Sequence, residues 1–213
     1  MGRKGSVWIA VGLLMIAAAL ALTIWNLEQS RLAGDSAVTV AEDLRQRIPD
    51  APQKDEGYQQ NTADSILPAE TYPDYVLHPD MEMPVQTLYG NDYIGVIAIP
   101  SLELELPVMS QWSYDKLQIA PCRYQGSAYR NDLILMAHNY GTHFGKLRNL
   151  HFSDAVVFTD VDGNVFSYEV VELETLQPTD IEKMESGDWD LTLFTCTVGG
   201  QSRVTVRCVL TSD

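Results

Sequence analysis

Residues 6–27 (SVWIAVGLLMIAAALALTIWNL) hold no charged side chain and show no polar face. About 20 apolar residues at about 1.5 Å rise cross a bilayer core, so the run predicts a transmembrane helix. A buried core helix fits less well for want of a polar face. A cleaved signal peptide is the rival, with Ala19-Leu20-Ala21 as a small-residue site. Its apolar region usually runs only about 7–15 residues, which favours an uncleaved anchor. Arg3 and Lys4 are the charges ahead of the run. By the positive-inside rule they make residues 1–5 a cytoplasmic tail and place the rest of the chain outside the cell. Trp8 and Trp25 sit near the two ends, where interfacial aromatics are favoured.

Residues 28–84 read as an extracellular stalk. They hold Pro49, Pro52, Pro68, Pro73, Pro79 and Pro84 and no long apolar run. Extended linker is expected, apart from a short helix over 36–48 with Ser36 as its N-cap.

From residue 93 the texture changes. Residues 93–99 are apolar and stop at Pro100, and Leu102, Leu104 and Leu106 then alternate with Glu103 and Glu105. That is the period of a half-buried strand. Strand-like runs follow at 133–137, 155–159, 165–173, 191–196 and 203–210, with Asp162-Gly163 as a hairpin turn. Short helices are expected near 114–119, 146–150 and 180–184. Many short strands between turn signals predict an all-β barrel or sandwich over residues 85–213.

Charge and cysteine content narrow the function. The formal net charge is -15. Nucleic acid is excluded as a partner, because phosphate contacts need clustered Lys and Arg. The charge reads instead as a solubility feature of an exported domain. Cys122, Cys196 and Cys208 cannot all pair within one chain, and three are too few for a disulfide-dense scaffold. Cys122 and Cys208 lie in apolar surroundings and read as buried small hydrophobes, with a Cys122–Cys208 disulfide as the alternative.

The stretch LTLFTCTVGGQSRVTVRC (191–208) is the most informative. Two strand-like runs flank Gly199-Gly200, which favours a tight two-residue hairpin. In that register Cys196 faces Arg203 and Thr192 faces Arg207. Directly opposed Cβ atoms lie about 5 Å apart. A guanidinium beside a thiol favours the thiolate and offers donors to a developing oxyanion. Arg207 points to the same face about 13 Å further along, so Arg203 is the better candidate.

A nucleophilic cysteine needs a base within reach. His138 ends the buried run 133–137, where the chain must leave the sheet. His78 lies in the linker, and His143 and His151 lie in the following loop; these three read as surface or hydrogen-bonded residues. His138 and His143 are five apart and share no helix face, and no acidic residue lies between them as in H-E-x-x-H, which argues against zinc.

Taken in order, these residues resemble the sortases, the cysteine transpeptidases of Gram-positive cell surfaces. YIGVIAIPSLELELPV (93–108) resembles the family's first two strands, and NDLILMAHNYGTHFGKLRNL (131–150) its catalytic-histidine strand and following loop. TLFTC (192–196) fits the T-L-x-T-C motif ending on the catalytic cysteine, and RVTVR (203–207) resembles the strand of the catalytic arginine. The resemblance implies an eight-stranded barrel with Cys196 as nucleophile, His138 as general acid/base, Arg203 as oxyanion stabiliser and Thr195 in support. It implies thioacyl transfer from an LPxTG-like sorting signal to an amine of a peptidoglycan precursor or a pilin, without a cofactor. Calcium modulates some relatives, but Glu182, Glu185 and Asp188 read as a solvated acidic loop. The short 197–202 loop, the absence of a helix after the arginine strand and a linker without an aromatic lid motif lean toward a class B-like or other non-pilus sortase. A pilin-polymerising sortase and an inactive membrane-anchored binding module are the alternatives. Papain-like peptidases order Cys before His, opposite to this chain, and an L,D-transpeptidase leaves the arginine strand unexplained.

Overall fold

The computed structural model describes residues 3–49 and 73–211. Helix α1 spans Arg3–Arg45 without a break. Helix α2 (Asp74–Leu77) and strand β1 (Gln86–Leu88) lead into β2 (Asn91–Ile99) and β3 (Leu104–Met109). Helix α3 (Tyr114–Leu117), β4 (Cys122–Gln125), β5 (Leu133–Ala137), β6 (Ala155–Asp160) and β7 (Val165–Leu176) follow. Helix α4 (Ile181–Glu185), β8 (Leu191–Cys196) and β9 (Arg203–Leu210) complete the chain.

The strands form one sheet in the order β1-β2-β3-β4-β5-β8-β9-β7-β6, and β6 also pairs with β2. Eight strands, β2 to β9, therefore close a barrel, and β1 is a short addition on its edge. Closure removes the unpaired edges that an open sheet would expose. It brings β2 so near β6 that a Cβ on Gly95 would lie 2.1 Å from the Thr159 carbonyl oxygen. Alternate residues of each strand fill the interior, among them Ile97, Leu106, Leu135, Phe158, Leu193 and Val206.

The predicted runs 133–137, 191–196 and 203–210 match β5, β8 and β9. Strand β4 escapes notice because four residues, CRYQ, are too short to show a period. The predicted helix over 146–150 is a 3-10 turn over Phe144–Asn149.

The segment 28–84 is not all linker. No proline interrupts residues 28–45, so the apolar helix runs on and Ser36 lies inside it rather than at its start. Ala33, Ala37, Val40, Ala41 and Leu44 are buried at helical spacing, and α1 packs against β2 and β3. Arg45 pairs with Glu105, and the Tyr89 hydroxyl donates to Asp43. Residues 50–72 of the predicted stalk lie outside the described residues. Beyond them the chain is again on the barrel: Tyr75 stacks on Tyr129 at 4.6 Å, and Met83 is buried. Toward its N-terminus α1 is long and apolar enough to cross a membrane, and that portion is wholly exposed.

Candidate active site

Three neighbouring strands bring the predicted residues together. Strands β5 and β8 run parallel with Ala137 opposite Thr195, so His138 and Cys196 follow side by side at the same end. Strand β9 returns antiparallel to β8 with Cys196 opposite Arg203 and Thr192 opposite Arg207. The expected register therefore holds. The loop differs from a two-residue turn: Thr197 N–H donates to Ser202 O at 2.9 Å, and Gly200 N–H to Thr197 O at 2.8 Å. Gly199 and Gly200 take φ of +86° and +73°, the left-handed region that glycine enters without strain.

His138, Cys196 and Arg203 line one cleft of about 400 Å³. Met136 and Phe194, two residues before His138 and Cys196, also line it, as strand alternation requires. Tyr124 and Met184 belong to an apolar cluster with these two at the same place, and the exposed Ile181 lines the cleft beside them. Trp112 adds an exposed wall. Sequence reasoning missed these cleft residues, because each sits in a different element and none forms a motif.

Thr195 is buried, and its hydroxyl donates to the Ala137 carbonyl at 2.8 Å. That bond ties the ends of β5 and β8 together one residue before His138 and Cys196. His138 is half-buried, and burial lowers its pKa below the ordinary value. Arg203 donates from Nη1 to Gly200 O and Ser202 O, each at 3.1 Å. Its Nε and Nη2 make no hydrogen bond among the described residues, which leaves donors for a substrate.

Arg207 has a different setting. It is 1% exposed, and it reaches Glu174, Thr192 and the carbonyls of Lys183 and Met184. All three cysteines are free, so the alternative Cys122–Cys208 disulfide is absent and both side chains are buried as small hydrophobes. Burial pushes both thiols up to about 12. Cys196 alone is partly accessible among the three.

Of the other histidines, His78 and His151 are exposed, as expected. His143 departs from expectation: it is fully buried, and neither ring nitrogen has a hydrogen-bond partner among the described residues. No grouping of three or more metal-ligating side chains occurs among the described residues. Glu185 of the acidic loop accepts from the Tyr124 hydroxyl at 2.9 Å.

A family model described as Sortase domain matches residues 97–211, more than half of the chain. The chain belongs to the sortase family. No curated protein matches it. Among solved structures, sortase C1 from Streptococcus agalactiae is similar at 24% identity and a TM-score of 0.53, with 68% of this chain and 79% of that one covered. A Clostridium perfringens sortase D5 transpeptidase is similar at 20% identity and a TM-score of 0.52, covering 67% of this chain and 91% of that one. Streptococcus pneumoniae sortase C is similar at 23% identity and a TM-score of 0.51, covering 60% and 72%. At such identities these structures report the sortase fold and not the subclass. The sortase barrel is thus the scaffold that gathers His138, Cys196 and Arg203.

Proposed function

We propose that this sortase cleaves an LPxTG-like sorting signal and passes the acyl group to a cell-wall amine. The observation that carries the reading is the register of β5, β8 and β9, which lines up His138, Cys196 and Arg203 on one cleft. The apolar floor of Met136 and Phe194, with Ile181 and Met184 beside it, suits the Leu and Pro side chains of such a signal.

In the first step the Cys196 thiolate attacks the Thr carbonyl carbon, and the carbonyl oxygen becomes an oxyanion. Free donors of Arg203 stabilise that charge as it develops. The C–N bond to the following residue breaks while His138 gives its proton to the leaving amine. A thioester on Cys196 results. In the second step neutral His138 takes a proton from an incoming amine, which attacks the thioester and releases Cys196 as thiolate. Burial, which lowers the pKa of His138, favours its neutral form for this role. The acceptor is an amine of a peptidoglycan precursor or a pilin.

The placement of Arg3 and Lys4 before the apolar helix supports a cytoplasmic N-terminus and an extracellular barrel. Residues 85–213 form the catalytic domain in this reading, with 6–27 as the anchor and 28–84 bridging the two.

The test uses the full chain in detergent with a library of quenched sorting-signal peptides and an amine acceptor. Wild type is compared with Cys196→Ala, His138→Ala and Arg203→Ala, and mass spectrometry follows the adduct. Cleavage lost in all three, with a thioacyl adduct on Cys196, supports the reading. A folded protein that forms no adduct with any peptide overturns it.

A further inference from the structure

The loop that follows His138 is packed against the helix that carries the apolar anchor. The Thr142 hydroxyl donates to the Ser30 carbonyl at 2.8 Å and lies 3.5 Å from the Ser30 hydroxyl. Gly34 faces the same residue with no room to spare: a Cβ there would lie 2.6 Å from Thr142 Cγ2 and 2.7 Å from Thr142 Cβ. The next residue, His143, is fully buried. The nearby backbone of Ala33 does not complete a hydrogen bond to its ring. A polar ring buried without partners is disfavoured unless surrounding packing holds it. Here α1 supplies part of that packing.

A row of rings leads from this contact to the cleft. His143 lies 5.5 Å from Tyr140, and Tyr140 lies 4.9 Å from His138, between ring centroids. His143 N–H and Gly145 N–H both donate to the Tyr140 carbonyl at 2.9 Å, which ties Tyr140 to the segment that packs on α1.

We propose that α1, through Gly34 against Thr142 and Ala33 beside His143, positions His138. Thr142 and His143 are then positioning residues, and the anchor helix is a working part of the active site. The inference rests on the reading of His138 as general acid/base. It also sets the height of the cleft. Trp25 marks the outer end of the apolar run, and Ser30 follows about 7.5 Å further at 1.5 Å per residue. A continuous helix thus holds the histidine loop at a fixed distance from the bilayer surface.

The experiment uses the full chain in nanodiscs. Gly34→Leu wedges the helix away from Thr142. Thr142→Val removes the bond to Ser30 at nearly constant volume, and Thr142→Ser keeps it. The expected result is a kcat loss of about 10- to 100-fold for Gly34→Leu, since small misplacements of a reacting group have effects of that size. A smaller loss is expected for Thr142→Val and a near-wild-type rate for Thr142→Ser. The KM for the sorting peptide stays within about twofold in all three. In the two impaired variants the His138 ring resonances shift in spectra of isotope-labelled histidine. If Gly34→Leu fails to fold, the Thr142 pair carries the same test. Folded variants with wild-type kcat, or with lowered kcat and unmoved His138 resonances, overturn the proposal. Full cleavage by His138→Ala would instead overturn the reading on which it rests.

Discussion

Arg207→Met tests whether this arginine is a structural clamp and not a catalytic cation. The guanidinium is 1% exposed and makes four hydrogen bonds. Nε meets Glu174 at 2.9 Å, Nη1 meets Met184 O and the Thr192 hydroxyl at 2.9 Å each, and Nη2 meets Lys183 O at 2.5 Å. Methionine fills similar space and offers no donor. Removing one partner of a buried ion pair costs about 3–5 kcal/mol. The Glu174 side chain is 28% exposed and regains some water, so the lower end, about 3 kcal/mol, is expected. For a protein of this size that lowers Tm by about 6–12 °C. Two of the lost bonds hold residues 183 and 184, and Met184 lines the cleft. The KM for peptide therefore rises, while the alkylation rate of Cys196 stays near wild type. Thermal unfolding followed by circular dichroism, together with peptide kinetics, reads both effects. Arg203→Met should do the opposite: a large loss of kcat with little change in Tm. A Tm for Arg207→Met within about 2 °C of wild type refutes the clamp.

Further outcomes follow from the same geometry. Iodoacetamide should label Cys196 alone in the folded protein, because burial holds Cys122 and Cys208 at about 12, and all three thiols should react in denaturant; mass spectrometry that finds native labelling at Cys122 or Cys208 contradicts this. Thr195→Val strands the buried Ala137 carbonyl and should lower stability by about 1–2 kcal/mol in urea melts, with reduced kcat; unchanged values would show that the bond does not align β5 with β8. His143 is depressed to about 4 by burial first and by His138 second, whereas the unfolded chain titrates near 6.5. The unfolded state therefore binds the proton first: stability is full above about pH 6.5 and falls as pH drops toward 4, by about 3 kcal/mol from this group. Urea midpoints at pH 7.5 and 4.5 should show a smaller acid loss in His143→Phe than in wild type, and equal losses refute the assignment.

Much of the site was legible because it depends on local rules. Tight-turn glycines and strand alternation determine which residue opposes Cys196, and Arg203 follows from counting outward from Gly199-Gly200. The apolar run at 6–27 announces, by length alone, a helix long enough to cross a bilayer. His138 was legible as the polar end of a buried run. Its nearness to Cys196 was not, since β5 and β8 are separated by two strands and a helix in the chain and meet only in the closed barrel.

What tertiary structure decided lies where distant segments meet. Arg203 and Arg207 share a face and a strand, and only packing makes one a cleft residue and the other a buried clamp. The stripe Ala33, Ala37, Val40, Ala41 and Leu44 is too weakly apolar to announce a docked helix, and it becomes a core face when β2 and β3 cover it. His143 looked like a loop histidine, and part of what buries it is a helix that starts more than a hundred residues earlier. Local sequence sets dihedrals, turns and strand faces, which act over a few residues. Burial and charge environment are sums over neighbours that the closed barrel alone brings together.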